Sequence, residues 1–154
     1  MIEFLIGKIS DFIGVCTAEG KTLSMLKSYD YGFDLNNIKN LPALRFFLSD
    51  FSADRLDRAE LSFDFLIFSS GFGDTVQNRR QVANALLWDI KGGNDIGIMP
   101  FLRAFRTFSA KDSKGRVWAL SNITTPEILI GNKGAAAQYA IGFKAVFAAK
   151  WPYI

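Results

Sequence analysis

The side chains that could do chemistry are few, and most of them lie between residues 58 and 93. Glu60 and Asp64 stand four residues apart in RAELSFDFLIFSS, and Asp74 follows in GFGD. An acidic cluster holding a divalent cation, as in a metal-dependent nuclease, is one arrangement these carboxylates could make. Such sites usually add a lysine beside the carboxylates on the neighbouring strand, and none is evident in the sequence. Exposed strand carboxylates are the simpler account. GFGD between a strand and a helix also has the position of a phosphate-binding loop, because backbone N–H groups at a helix start attract anions. The match to GxGxxG fails: Val76 stands where the third glycine would, no Lys-Ser/Thr follows, and Asp74 puts a negative charge where phosphate would sit. Asp74 and Gln77 have instead the spacing of an N-terminal capping box.

The chain has no histidine and one cysteine, Cys16. That removes Ser-His and Cys-His nucleophile systems, His-ligated zinc, an intrachain disulfide and any multi-cysteine metal site. We therefore expect no catalytic residues, no metal and no cofactor. Basic residues offer a second kind of chemistry. Arg79 and Arg80, with Arg103, Arg106 and Lys111 further on, could form a patch. A solvated helix face, an acidic protein partner and DNA passing nearby all fit it. The formal net charge of +3 is too small and too scattered to imply nucleic-acid binding by itself.

These residues need elements to position them. At 154 residues, with 49% apolar and 21% charged side chains, the chain fits a single domain, residues 1–154, with material for one core. Residues 1–15 place Ile2, Leu5, Ile6, Ile9, Phe12 and Ile13 on one helical face, which predicts a core-facing amphipathic helix rather than a membrane-surface anchor. LSMLKSYDYGFDL alternates as a short strand, and Ala43–Phe51 reads as another beginning at Pro42. In the strand at 58–70, Leu61, Phe63, Phe65 and Ile67 share one face, while Ser62, Asp64, Leu66 and Phe68 share the other. Its second half is apolar on both faces, so that second face awaits partial cover, for which a neighbouring subunit is one source.

A helix is predicted over 75–91, with Val76, Ala83, Leu86, Leu87 and Ile90 on one side and Gly92–Gly93 as its stop. Residues 101–110 fit either a helix or a strand. KDSKG reads as a turn, RVWALSNI and TTPEILIG as strands, GNKGAAAQ as a flexible loop and YAIGFKAVFAAK as a final strand. Residues 123–130 and 139–150 should pair as an antiparallel hairpin. The fold class is thus α+β, a mixed, mostly antiparallel sheet of about five strands with two main helices packed on one face. Trp88, Trp118 and Trp151 read as core or interface anchors. The N-terminus lacks the charge order and cleavage site of a signal peptide, and no uncharged apolar run spans a bilayer, so synthesis in the cytoplasm and no membrane partner are expected.

In this order of elements, NLPALRFFL at 40–48, RAELSFDFLIFSS at 58–70, RRQVANALLWDI at 79–90, PFLRAFRTF at 100–108 and AIGFKAVFAAKW at 140–151 carry a likeness. The chain resembles the tail terminator proteins of tailed bacteriophages, most closely the Mu-like tail-completion group of contractile-tailed phages. The resemblance implies an α+β subunit of a homohexameric ring in the virion, on the head-proximal end of the tail tube. There it would halt growth of the tube and possible sheath, and offer a docking surface to head-tail connector or neck proteins, with DNA passing through the lumen without specific recognition. Candidate interface residues are Leu66, Phe68, Arg79, Arg80, Arg103, Arg106, Lys133, Trp151 and Tyr153. A head-tail adaptor or neck protein is the same-class alternative, and a small metal-dependent nuclease using Glu60 and Asp64 the alternative of a different class.

Overall fold

The computed structural model describes residues 2–32, 40–55, 58–69, 76–133 and 136–150. In chain order its elements are α1 Ile2–Cys16, β1 Ser28–Tyr31, β2 Ala43–Arg55, β3 Arg58–Phe68, α2 Val76–Leu86, β4 Asp89–Lys91, β5 Asn94–Ile96, α3 Ile98–Phe105, β6 Ser109–Lys111, β7 Val117–Ile123, β8 Glu127–Lys133 and β9 Ala136–Lys150.

Alternation along β3 and β9 builds the centre. Leu61, Phe63, Phe65 and Ile67 of β3 lie opposite Phe147, Ala145, Phe143 and Ile141 of β9, all on one buried face. On the other edge of β3, Phe46 of β2 stands opposite Phe65. The rings of Phe46, Phe65 and Phe143 therefore run across three strands, stacked at centroid distances of 5.4 and 5.0 Å. Beyond β2, β1 adds at the edge in the parallel sense, which makes the seven-stranded sheet mixed. The far edge of β9 carries β7 and then β8, both antiparallel to it, with β6 outside β7. The predicted hairpin between the last two strands is thus present.

Two helices cover the aromatic face. Leu5, Ile9 and Ile13 recur every fourth residue of α1 and are fully buried, as the sequence pattern requires. In α3, Ile98, Phe101, Leu102 and Phe105 are buried. Phe12 joins the two helices, with its ring 5.4 Å from Phe105 and 5.7 Å from Phe108. Phe105 in turn meets Phe65 and Phe147 of the sheet, each at 5.7 Å. Each such buried ring contributes about 1.5–3 kcal/mol of transfer free energy, and each ring pair adds about 0.5–1.5 kcal/mol.

The second covering helix is therefore α3 and not the predicted 75–91 helix, which ends at Leu86. Asp89–Lys91 and Asn94–Ile96 form a two-stranded hairpin instead. Gly92 and Gly93, at φ 58° and 80°, make its turn, because a two-residue hairpin whose central residues both need positive φ favours glycine over a helix stop. Ile90, expected in the core, is exposed on that hairpin. Residues 101–110 defied a single assignment because they hold both the end of α3 and β6. Among the described residues the main sheet has seven strands rather than about five, partly through short β6. Most of the predicted loop 131–138 is strand, belonging to β8 and β9. Among the described residues of the LSMLKSYDYGFDL stretch, only Ser28–Tyr31 is strand, since Leu23 and Leu26 enter the core from the loop before it. The GFGD turn and its capping box lie outside the described residues.

One junction admits only glycine. Gly97 has φ 129°, and a Cβ there would stand 2.4 Å from the Leu87 carbonyl oxygen. Its N–H donates to Thr22 O at 2.7 Å while Met99 N–H donates to Leu87 O at 3.0 Å. The end of α2, the start of α3 and the loop after α1 are pinned together there.

Candidate partner-binding surfaces

The face of the sheet away from α1 and α3 has a different make-up. Register places Arg45 and Phe47 of β2, Ser62, Asp64 and Leu66 of β3, and Gly142, Lys144, Val146 and Ala148 of β9 on it, all half-buried. A groove of about 400 Å³ opens there between Phe47, Leu66 and Leu129, with Gly142 on its floor. A Cβ on Gly142 would approach Leu66 Cδ2 to 3.0 Å and Leu129 Cδ1 to 3.1 Å, so glycine keeps the groove open. Lys144 Nζ lies 3.9 Å from Asp64 Oδ1 along one wall.

Strand geometry bears on the carboxylates that could have held a cation. Glu60 and Asp64 are four residues apart on one strand, about 13 Å at 3.3 Å per residue, too far to ligate one ion. Glu60 is paired with Arg58 at 2.8 Å. The lysine that the sequence did not reveal is Lys144, opposite Asp64 on β9, and only the pairing register could have disclosed it. Among the described residues, no group of three or more His, Cys, Asp or Glu is placed to hold a metal ion. Cys16 is buried, and its burial pushes the thiol pKa up, only partly offset by neighbouring Thr22 and the Lys21 charge. An unreactive thiol follows.

A second groove, of about 280 Å³, lies on the helical side. Met99, Leu102 and Arg103 of α3, with Arg106 at its C-cap, form one wall, and Ile123 to Pro126, the break between β7 and β8, forms the other. Both arginines are exposed, and neither makes an ion pair among the described residues.

The candidates from sequence thus separate. Leu66 lines the first groove, and Arg103 and Arg106 share the second. Phe68 is a correction: it is 5% exposed, beside buried Ala140 and Ser69, because the end of β3 is enclosed on both faces by the chain itself. It is not open to a partner. Arg80 is exposed on α2, Lys111 on β6, and neither lines either of these two grooves. The side chains of Arg79 and Lys133 and all of Trp151 and Tyr153 lie outside the described residues. Trp118 is a core anchor at 2% exposure, whereas Trp88 is exposed, its Nε1–H donating to Asp95 Oδ1 at 3.0 Å.

Sequence reasoning missed the Asp112 cluster. One carboxylate oxygen accepts the N–H groups of Lys114 and Arg116 at 2.9 and 3.0 Å. The other accepts from Arg116 Nε at 2.7 Å and Trp118 Nε1 at 3.2 Å. Burial works against the charge on Asp112, but these hydrogen bonds, led by Arg116, outweigh it and lower the pKa from 3.8 to about 2. The Asp before a Gly-closed turn in KDSKG was the available signal. No helix among the described residues is long and apolar enough to cross a membrane. Comparison with protein-family models gave no match, and comparison with curated proteins gave none either.

Proposed function

We propose that this chain is a structural subunit of a phage tail, a terminator that assembles head to tail into a hexameric ring on the head-proximal end of the tail tube. It carries out no chemistry in this reading. It stops tube growth and presents a surface to the head-tail connector, with DNA passing through the lumen. One observation carries the reading: the sheet face opposite α1 and α3 holds an open groove with an apolar patch of half-buried Phe47, Leu66 and Gly142 and exposed Leu129. Apolar surface of this kind is what a subunit completes with a neighbour. Contacts between head-to-tail copies are heterologous and close into a ring when the rotation allows.

Native mass spectrometry and electron microscopy of the purified protein, alone and mixed with tail tubes, test the reading. Rings that decorate one end of the tube are expected. A protein that stays monomeric at all concentrations and never binds tube ends sinks it.

A further inference from the structure

We propose that the groove between α3 and the β7–β8 break is a docking site for an acidic protein segment that carries an apolar side chain beside its carboxylates. The proposal stands apart from the ring reading, since a monomer would carry the same groove. Arg103 lies in the last turn of α3 and Arg106, three residues on, is its C-cap; Arg106 keeps helical dihedrals (φ −60°, ψ −23°), so the two neighbour each other on one side of the helix end. The helix is fixed by four buried side chains, Ile98, Phe101, Leu102 and Phe105, so both arginines are carried on backbone held against the core.

The opposite wall is held as firmly. Thr124 N–H donates to Lys144 O at 2.9 Å, and Lys144 N–H donates to Thr124 Oγ1 at 2.8 Å. These two bonds tie the break between β7 and β8 to the edge of β9, and Pro126 has no N–H to offer a further strand.

Charge and size then select the occupant. The groove is lined by two cations and no acid, and neither cation is engaged by the described remainder of the chain. Guanidinium groups fork onto carboxylates with paired hydrogen bonds, and such charge-assisted bonds are about twice as strong as neutral ones. At about 280 Å³ the groove is slightly below the range of small-molecule pockets, roughly 300–1,000 Å³, and suits one or two side chains of a peptide. Met99, Leu102, Ile123 and Pro126 give an apolar side chain somewhere to go, which a phosphate backbone would not use. Two cations would also neutralise only about two phosphates, a weak hold on nucleic acid.

Fluorescence anisotropy tests this with a labelled synthetic peptide of glutamates flanking one leucine and one phenylalanine. Its glutamine counterpart and a single-stranded oligonucleotide of equal charge serve as controls. At about 0.1 M salt the acidic peptide should bind at least about tenfold more tightly than either control. R103E/R106E should abolish binding, and R103Q/R106Q, a milder change at the same exposed positions, should weaken it about tenfold or more. Thr125→Trp fills the groove and leaves both charges in place, so it should weaken binding by a similar factor, with melting curves showing that each variant is folded. The proposal is overturned if the acidic peptide does not bind, if the oligonucleotide binds as tightly, or if Thr125→Trp leaves peptide binding unchanged.

Discussion

The two faces of β3 and β9 are made by the same strands and differ in nearly every physical respect. On the helix side, Leu61, Phe63, Phe65, Phe143 and Phe147 are all at most 8% exposed, and the rings of Phe65, Phe143 and Phe147 meet Phe101 or Phe105 of α3. On the other, Ser62, Asp64, Leu66, Lys144 and Val146 are half-buried around an open groove. Alternation sorts most of the large rings to one side, and small and charged groups with the apolar Phe47 and Leu66 to the other. The first side determines the fold, which leaves the second free to be shaped by what binds it.

The largest effect should come from the packed side. Phe65→Ala removes a ring that meets Phe46, Phe105 and Phe143 and should cost about 3–5 kcal/mol in urea unfolding. A loss below about 1 kcal/mol would erase the contrast between the faces. Leu66→Glu, one residue along, should lower monomer stability by only about 1 kcal/mol. In native mass spectrometry it should nevertheless remove the rings expected of the parent protein, and rings that persist would show the outer face to be idle.

Asp112 sharpens the contrast from the edge of the packed side, where Trp118 enters the core. Its folded pKa, about 2, lies below the unfolded value near 3.9. A group depressed in this way stabilises the fold in full above about pH 4 and loses that contribution as pH falls toward about 2. Denaturation midpoints of Asp112→Asn should therefore fall less steeply with acid across that window than those of the parent, and parallel curves would contradict the linkage. Smallest of all should be Lys144→Met on the outer face. The pair with Asp64, 3.9 Å apart and partly exposed, should contribute no more than about 0.5 kcal/mol in a double-mutant cycle.

What could be read beforehand follows from which signals are local. The α1 stripe, the β3 alternation and the final strand were legible because burial on one face imposes a period on consecutive residues. The 75–91 helix was misjudged because Trp88 and Ile90 continue a helical pattern while Gly92–Gly93 serves a hairpin, and glycine pairs fit both roles. Lys144 opposite Asp64 was invisible because strand register joins residues far apart in the chain. The Arg103–Arg106 groove was half visible: the arginines were evident, but their facing wall at Thr124–Pro126 depends on β7 and β8 lying end to end along β9.

That placement of β9 has a consequence in time. Residues 136–150 take the middle of the sheet, between β3 and the β7–β8 pair, yet ribosomes make them after every described strand they join. Until they emerge, β3 has an open edge bearing Phe63 and Phe65, and β7 and β8 have no strand to dock on. Pairings of such long sequence separation form slowly and leave apolar edges exposed meanwhile. Nascent chains halted before residue 136 should thus be held by chaperones or aggregate, and the assembly of this sheet waits on its last strand.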